Sequence, residues 1–182
     1  MSTAYRFTEN EIPHFITMTL VEWIDLLSRE KYKRIIVDNL KYCIEKKGLV
    51  IHAYVIMSNH VHLIVTANGE AKLSGIIRDF KRYTAGLLYE TLKNDAEESR
   101  RNWMLWIIES QGDRSSSNKN IKVWIHENHP VTLDTELMEE QRVQYIHENP
   151  VRAGICHAPE DYVYSSAGQY TGGSGPIPIE LL

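Results

Sequence analysis

The run LVIHAYVIMSNHVHLIVTA, residues 49–67, decides the fold. LVIHAYVIM (49–57) and HVHLIVTA (60–67) are both dense in β-branched residues, and only Ser58 and Asn59 separate them. That is the sequence form of a tight two-residue hairpin. Upstream, Tyr32, Ile35, Ile36, Leu40, Cys43 and Ile44 recur at three and four, which predicts a helix from Ser28 to about Lys47 with Gly48 as its stop. HFITMTL (14–20), after Pro13, reads as a first strand. Downstream, Leu73, Ile76, Ile77, Phe80, Tyr83, Leu87 and Leu88 form the inward stripe of a helix over about 71–93.

Beyond that helix the pattern weakens. WMLWIIES fits helix and strand equally, between a charge-rich stretch from Asn94 to Asn102 and a Ser/Asn/Gly-rich stretch from Gly112 to Asn120. IKVWI (121–125) reads as a strand and ENHP as a turn. Asp134 reads as the N-cap of a helix that ends at about Asn149 before Pro150, and the tail 151–182 reads as mostly loop. The order predicts an α+β fold: a ferredoxin-like βαββαβ sandwich with two crossover helices on one face and an additional C-terminal helix. The expected organisation is one domain over 1–182, with a core of about 12–150 and an irregular tail.

Composition narrows the class. The chain has 182 residues, 43% hydrophobic and 24% charged, which fits one compact core and excludes a fibre or a disordered chain. No apolar run reaches the length of a membrane helix. Cys43 and Cys156 have no metal-site or disulfide spacing, and Met1–Arg6 is polar without an apolar signal region. Reduced thiols and a cytoplasmic location are the expectation. The formal charge is −4, yet it is unevenly spread. Residues 29–47 hold seven basic and three acidic side chains, 71–87 four and one, and 134–161 two and seven. A local basic track on the first two helices is expected, with binding to a polyanion that weakens as salt rises.

His60 and His62 project from one face of their strand, about 7 Å apart at Cα, so their imidazoles can share a metal ion or serve as ordinary sheet neighbours. Tyr145 and Asn149, at i and i+4, share one face of the last helical turns. A tyrosine hydroxyl can attack phosphorus and stay covalently attached, and the amide could complete a metal shell. A core aromatic and a helix-ending residue before Pro150 would show the same pattern.

The segments YVIMSNHVHLIV (54–65), DFKRYTAGLL (79–88), QYIHENPVRAGI (144–155) and DYVYSSAGQY (161–170) resemble, in content and order, the Tyr-HUH single-strand DNA transposases, specifically the REP-associated tyrosine transposase-like branch. The resemblance implies Tyr145 as nucleophile and His60, His62 and Asn149 as ligands of Mg²⁺ or Mn²⁺. It implies cleavage and rejoining of hairpin-forming single-stranded DNA through a 5′-phosphotyrosine, by a monomer or a homodimer that exchanges tyrosines. Lys81, Arg82 and Thr84 fall in the family's helix motif and are expected at DNA, as is Arg152, with Tyr83 in the core or stacked on a base. The alternative function is a domesticated, non-catalytic binder of structured DNA or RNA. The stretch Trp124–His129 does not match the family's last-strand spacing, so no role carries over to His126 or His129. His147 faces away from Tyr145, and His52 has no evident partner. Trp103, Trp106 and Trp124 are candidates for a base platform but are more simply structural.

Overall fold

A computed structural model of the chain describes residues 10–113 and 121–182. The polar N-terminus and most of the Ser/Asn/Gly-rich stretch lie outside them. Four antiparallel strands, β1 (His14–Thr19), β2 (Leu49–Ile56), β3 (His60–Ala67) and β4 (Val131–Thr132), form one sheet in the order β2-β3-β1-β4. The predicted hairpin joins β2 to β3 through Ser58 and Asn59, closed by the Met57 N–H on the His60 carbonyl. Helices α1 (Glu30–Lys47) and α2 (Leu73–Lys93) lie together on one face, as the βαββαβ order requires. No described helix is long and apolar enough to cross a membrane.

The two faces of the sheet bury different things. Ile16 and Met18 of β1, Leu20 just after it, and Val61, Leu63 and Val65 of β3 point into the large core under α1, α2 and α3 (Arg101–Asp113). The alternate residues Phe15 and Ile64 point the other way, with Ala53 and Val55 of β2, into a smaller core closed by Leu133 and by Ile146 of α4 (Glu136–Arg152). A period-2 strand supplies both faces at once, so α4 and the histidines of β3 are brought to the same side.

Two elements differ from the sequence reading, and another, left open there, is resolved. WMLWIIES is helical, within α3, because Met104 and Ile108 at i and i+4 are both buried. IKVWI is not a ladder strand. It still runs antiparallel past the end of β1, through a bridge between Trp124 and Leu20 and through Val21 N–H on Val123 O and Ile125 N–H on Thr19 O, and β4 lies further on, at Val131–Thr132. Lys81 anchors the segment that follows, its ammonium donating to the carbonyls of Ile125 (2.7 Å) and His126 (3.0 Å) and to Asn128 Oδ1 (2.6 Å). Residues 125–128 stay on the edge of β1, where Thr17 N–H donates to Asn128 O, and the left-handed His129 (φ 44) separates them from β4. Third, α4 is capped by Thr135, whose hydroxyl accepts from Met138 N–H, and it runs through the buried Pro150 to Arg152. Gly154, at φ 69, ends it with Ile155 N–H on the Pro150 carbonyl and Gly154 N–H on Val151, a Schellman stop.

His52 lies at a bulge between Ile51 and Ala53, which shifts strand parity so that Tyr54 and Ile56 return to the large core. Its ring has two partners: Nδ1 meets the Glu180 carbonyl at 2.8 Å and Nε2 the Thr66 hydroxyl at 2.9 Å. The tail is indeed mostly loop, with one short helix, α5 (Ala167–Tyr170). It covers the open edge of β2: Ile56 N–H donates to Tyr164 O, Ser166 N–H to Tyr54 O and Glu180 N–H to Ile51 O. An unpaired edge would otherwise invite another chain.

Two substitutions test this frame. Gly48 sits at φ +71 where a Cβ would meet the Asn68 carbonyl, so Gly48→Ala is expected to cost roughly 2 kcal/mol or more in urea denaturation. Lys81→Met leaves three oxygens without their donor and is expected to cost about 1–3 kcal/mol. The neighbouring Arg82→Met, at an exposed side chain, should stay within about 0.5 kcal/mol.

Candidate active site

β3 and α4 meet on the face opposite α1 and α2. His60 and His62 stand there with ring centroids 4.7 Å apart, and the Tyr145 ring lies 5.3 Å from His62. Phe15 packs under both, stacked on His62 at 5.3 Å and edge-on to Tyr145 at 5.9 Å. The Asn149 side chain hydrogen-bonds the His60 ring. All four expected residues therefore converge, and they do so within one chain.

Each histidine is held from behind. His60 Nδ1 donates to Asn59 Oδ1 at 2.7 Å, and His62 Nδ1 meets the Thr17 hydroxyl at 2.8 Å. With His60 Nδ1 donating, Nε2 of that neutral ring carries the lone pair that a metal ion needs, and His62 offers the same when its Nδ1 donates to Thr17. Burial keeps both rings neutral. It lowers His60, against a hydrogen bond with the Asn149 side chain that raises it, and with His60 and Arg142 nearby it brings His62 down to about 3. Among the described residues no three His, Cys, Asp or Glu side chains cluster, so the donor set is two imidazoles and one amide. It suits a divalent ion that takes its remaining ligands from water and a phosphate oxygen.

Arg142, Tyr145, Asn149 and Arg152 follow one another at three, four and three along α4 and so form one stripe. The Arg152 guanidinium lies 5.8 Å from the centre of the Tyr145 ring and also pairs with Glu148 at 2.6 Å. Arg142 lies 4.9 Å over the Phe15 ring. Together with Gln141 and Gln144, the two arginines and Tyr145 line a hollow of about 310 Å³. Its cationic walls beside a phenol fit a phosphodiester.

The expected DNA contacts divide. Arg82 is exposed and only loosely paired with Asp79 at 3.6 Å, and Arg152 stands at the tyrosine. Lys81 is committed to residues 125–128. Burial lowers it to about 8, which leaves it charged at neutral pH and able to donate all three bonds. Thr84 is 0% exposed, donating to Phe80 O and accepting from Trp124 Nε1. These two act inside the protein, and Trp124 is buried with Thr84 rather than presented to a base. Tyr83 is exposed, not core. The basic track of α1 and α2 is also displaced: both helices cover the face away from Tyr145, and Arg29, Lys31 and Lys47 are paired with Glu98, Asp95 and Asp79. His147 does face away, with Nε2 2.8 Å from the Ser166 hydroxyl and its ring against Tyr170.

Thr17, Phe15 and Arg142 escaped the sequence reading. Arg142 was detectable, since i−3 from Tyr145 is the same helix face. Thr17 and Phe15 are visible only once the β1–β3 register is known.

No curated protein matches the chain in sequence. Among solved structures it is similar to a REP-associated tyrosine transposase bound to a REP hairpin, at a TM-score of 0.68 and 17% identity over 99% of this chain and 92% of that one. At that identity the likeness establishes the shared fold. A crystal structure of a Deinococcus radiodurans protein aligns over 80% of this chain and 95% of that one, at 15% identity and a TM-score of 0.45, too low to carry weight. The family model described as "Transposase IS200 like" matches residues 14–128, well over half of the chain, from β1 to the anchored loop. The chain belongs to the IS200-like transposase family.

Proposed function

We propose that the protein is a metal-dependent tyrosine transposase that binds hairpin-forming single-stranded DNA and cleaves and rejoins it through a 5′-phosphotyrosine. The carrying observation is the convergence of Tyr145, His62, His60 and Asn149 on one face within a single chain. The hairpin partner is supported by the structural neighbour, which was solved with one.

In this reading Arg142 and Arg152 receive the phosphate and hold it against Tyr145, converting a bimolecular encounter into an oriented one. The phenolic oxygen attacks phosphorus, the P–O3′ bond breaks, and the 3′-oxygen leaves as a hydroxyl while the 5′-phosphate stays on Tyr145. Rejoining is the reverse, with a 3′-hydroxyl attacking the phosphotyrosine and Tyr145 departing. His60, His62 and Asn149 would hold Mg²⁺ or Mn²⁺, which when bound polarises a phosphate oxygen and offsets the charge that develops there. Thr17 and Asn59 keep the two imidazoles turned toward that ion. Tyrosine and histidines meet in cis, so one chain carries a whole site.

Incubating the protein with a single-stranded hairpin substrate and Mn²⁺ should give a covalent protein–DNA adduct visible on a denaturing gel. Tyr145→Phe should abolish the adduct while still binding the hairpin, and normal cleavage by that variant would refute the nucleophile. If the wild-type chain binds the hairpin tightly and never forms an adduct with either metal, it is a binder and not a transposase. Thr17→Val removes the partner of His62 Nδ1, and calorimetric titration should show Mn²⁺ affinity falling about tenfold or more, with melting little changed.

A further inference from the structure

Trp23 sits next to the histidines on an unusual mount. It is 60% exposed, and its ring lies edge-on to His60 at 6.0 Å. Glu22 and Trp23 both have positive φ, 49 and 55, a conformation that bulky residues rarely adopt and that concentrates at functional sites. The mount is held on several sides. Trp23 N–H donates to Leu20 O, the Trp23 carbonyl accepts from the Asn59 side chain, and Gln111 bonds Glu22. Leu20 and Leu27 N–H groups in turn donate to the Asn59 and Ser58 carbonyls of the hairpin. The left-handed turn keeps the indole out of the core and beside the site. Trp103 and Trp106, also exposed, lie instead on α3, whose buried residues join the large core of the opposite face.

The aromatic contacts form a row: Tyr145 to His62 at 5.3 Å, His62 to His60 at 4.7 Å, His60 to Trp23 at 6.0 Å. The phenol is at one end and the indole at the other. In an in-line displacement the leaving oxygen departs on the side opposite the attacking one. A nucleotide whose 3′-oxygen leaves from a phosphate above the histidines therefore extends toward the indole. Unpaired bases stack on exposed aromatic rings regardless of sequence.

Resting on the transposase reading, we propose that Trp23 is the stacking platform for the base of the nucleotide immediately 5′ of the scissile phosphate. It acts on substrate position and contributes no proton or ligand. The base held there is the one whose 3′-hydroxyl must stay near the phosphotyrosine for rejoining.

The test uses the full chain and two readouts. In a Tyr145→Phe background, Trp23→Ala should weaken binding of a hairpin with a single-stranded flank about tenfold, and Trp23→Phe about threefold or less. Removing the base 5′ of the scissile phosphate should weaken the Trp23-containing protein equally, and the two changes together should cost no more than either alone. With Tyr145 intact, the rate of adduct formation should follow the same pattern. Trp23→Ala should melt at the wild-type temperature, as expected of an exposed side chain. Unchanged binding in Trp23→Ala, or losses that multiply with the abasic substrate, would overturn the platform. An absent adduct in the wild type, with the binding pattern intact, would overturn the transposase reading and leave the platform standing.

Discussion

The register of the β1–β3 pair, which sets Thr17 opposite His62 and Thr19 opposite His60, is the constraint on which the rest of the site depends. Side chains alternate, so a slip of one residue would send both histidines into the core under α1 and α2 and bring Val61 and Leu63 out. Burial on both faces makes that slip costly: Ile16, Met18, Val61 and Leu63 are fully enclosed on one side and Ile64 on the other. The hydrophobic pattern thus holds the two histidines on one face without any polar residue having to specify it. The Thr17–His62 hydrogen bond then sets which ring nitrogen faces outward.

The sheet also separates tasks. One face carries the large core and most of the basic charge; the other carries a thin core made by α4, and on it the tyrosine, the histidines and two arginines. The positive charge that matters to the site is the local pair Arg142 and Arg152, not the helices whose composition is most basic. Cations on and beside those helices are held by carboxylates: Lys31, with the Tyr32 hydroxyl, bonds Asp95, and Arg29 and Arg100 both bond Glu98. The charge-rich stretch after α2 is therefore a structural seam that ties it to α1, and a net charge of −4 says little about the one surface that would meet DNA.

Elements with a strong local period were readable. The hairpin, α1 and α2 follow their apolar spacing, and His60, His62, Tyr145 and Asn149 fall where strand and helix geometry put them. Elements governed by a distant side chain were not. IKVWI has strand composition and lies along the end of β1, yet the loop that the Lys81 ammonium gathers and the left-handed His129 part it from β4. Lys81 and Thr84 lie in a motif that suggests phosphate contact, yet both face inward because α2 packs its motif side against residues 124–128. The bulge at His52 is invisible in a continuous apolar run, where either parity looks the same.

By itself the sequence determined the α+β class, the hairpin, the two crossover helices and the pairing of histidines with a tyrosine–asparagine helix, because those depend on periods of 2 and 3.6 and on short spacings. Only the tertiary structure decided that α4 docks on the histidine face of its own sheet, that Thr17 and Arg142 belong to the site, and that Trp23 stands exposed beside His60. Those facts come from strand register, helix docking and a strained left-handed turn, which join residues distant in the chain and leave no mark on local composition.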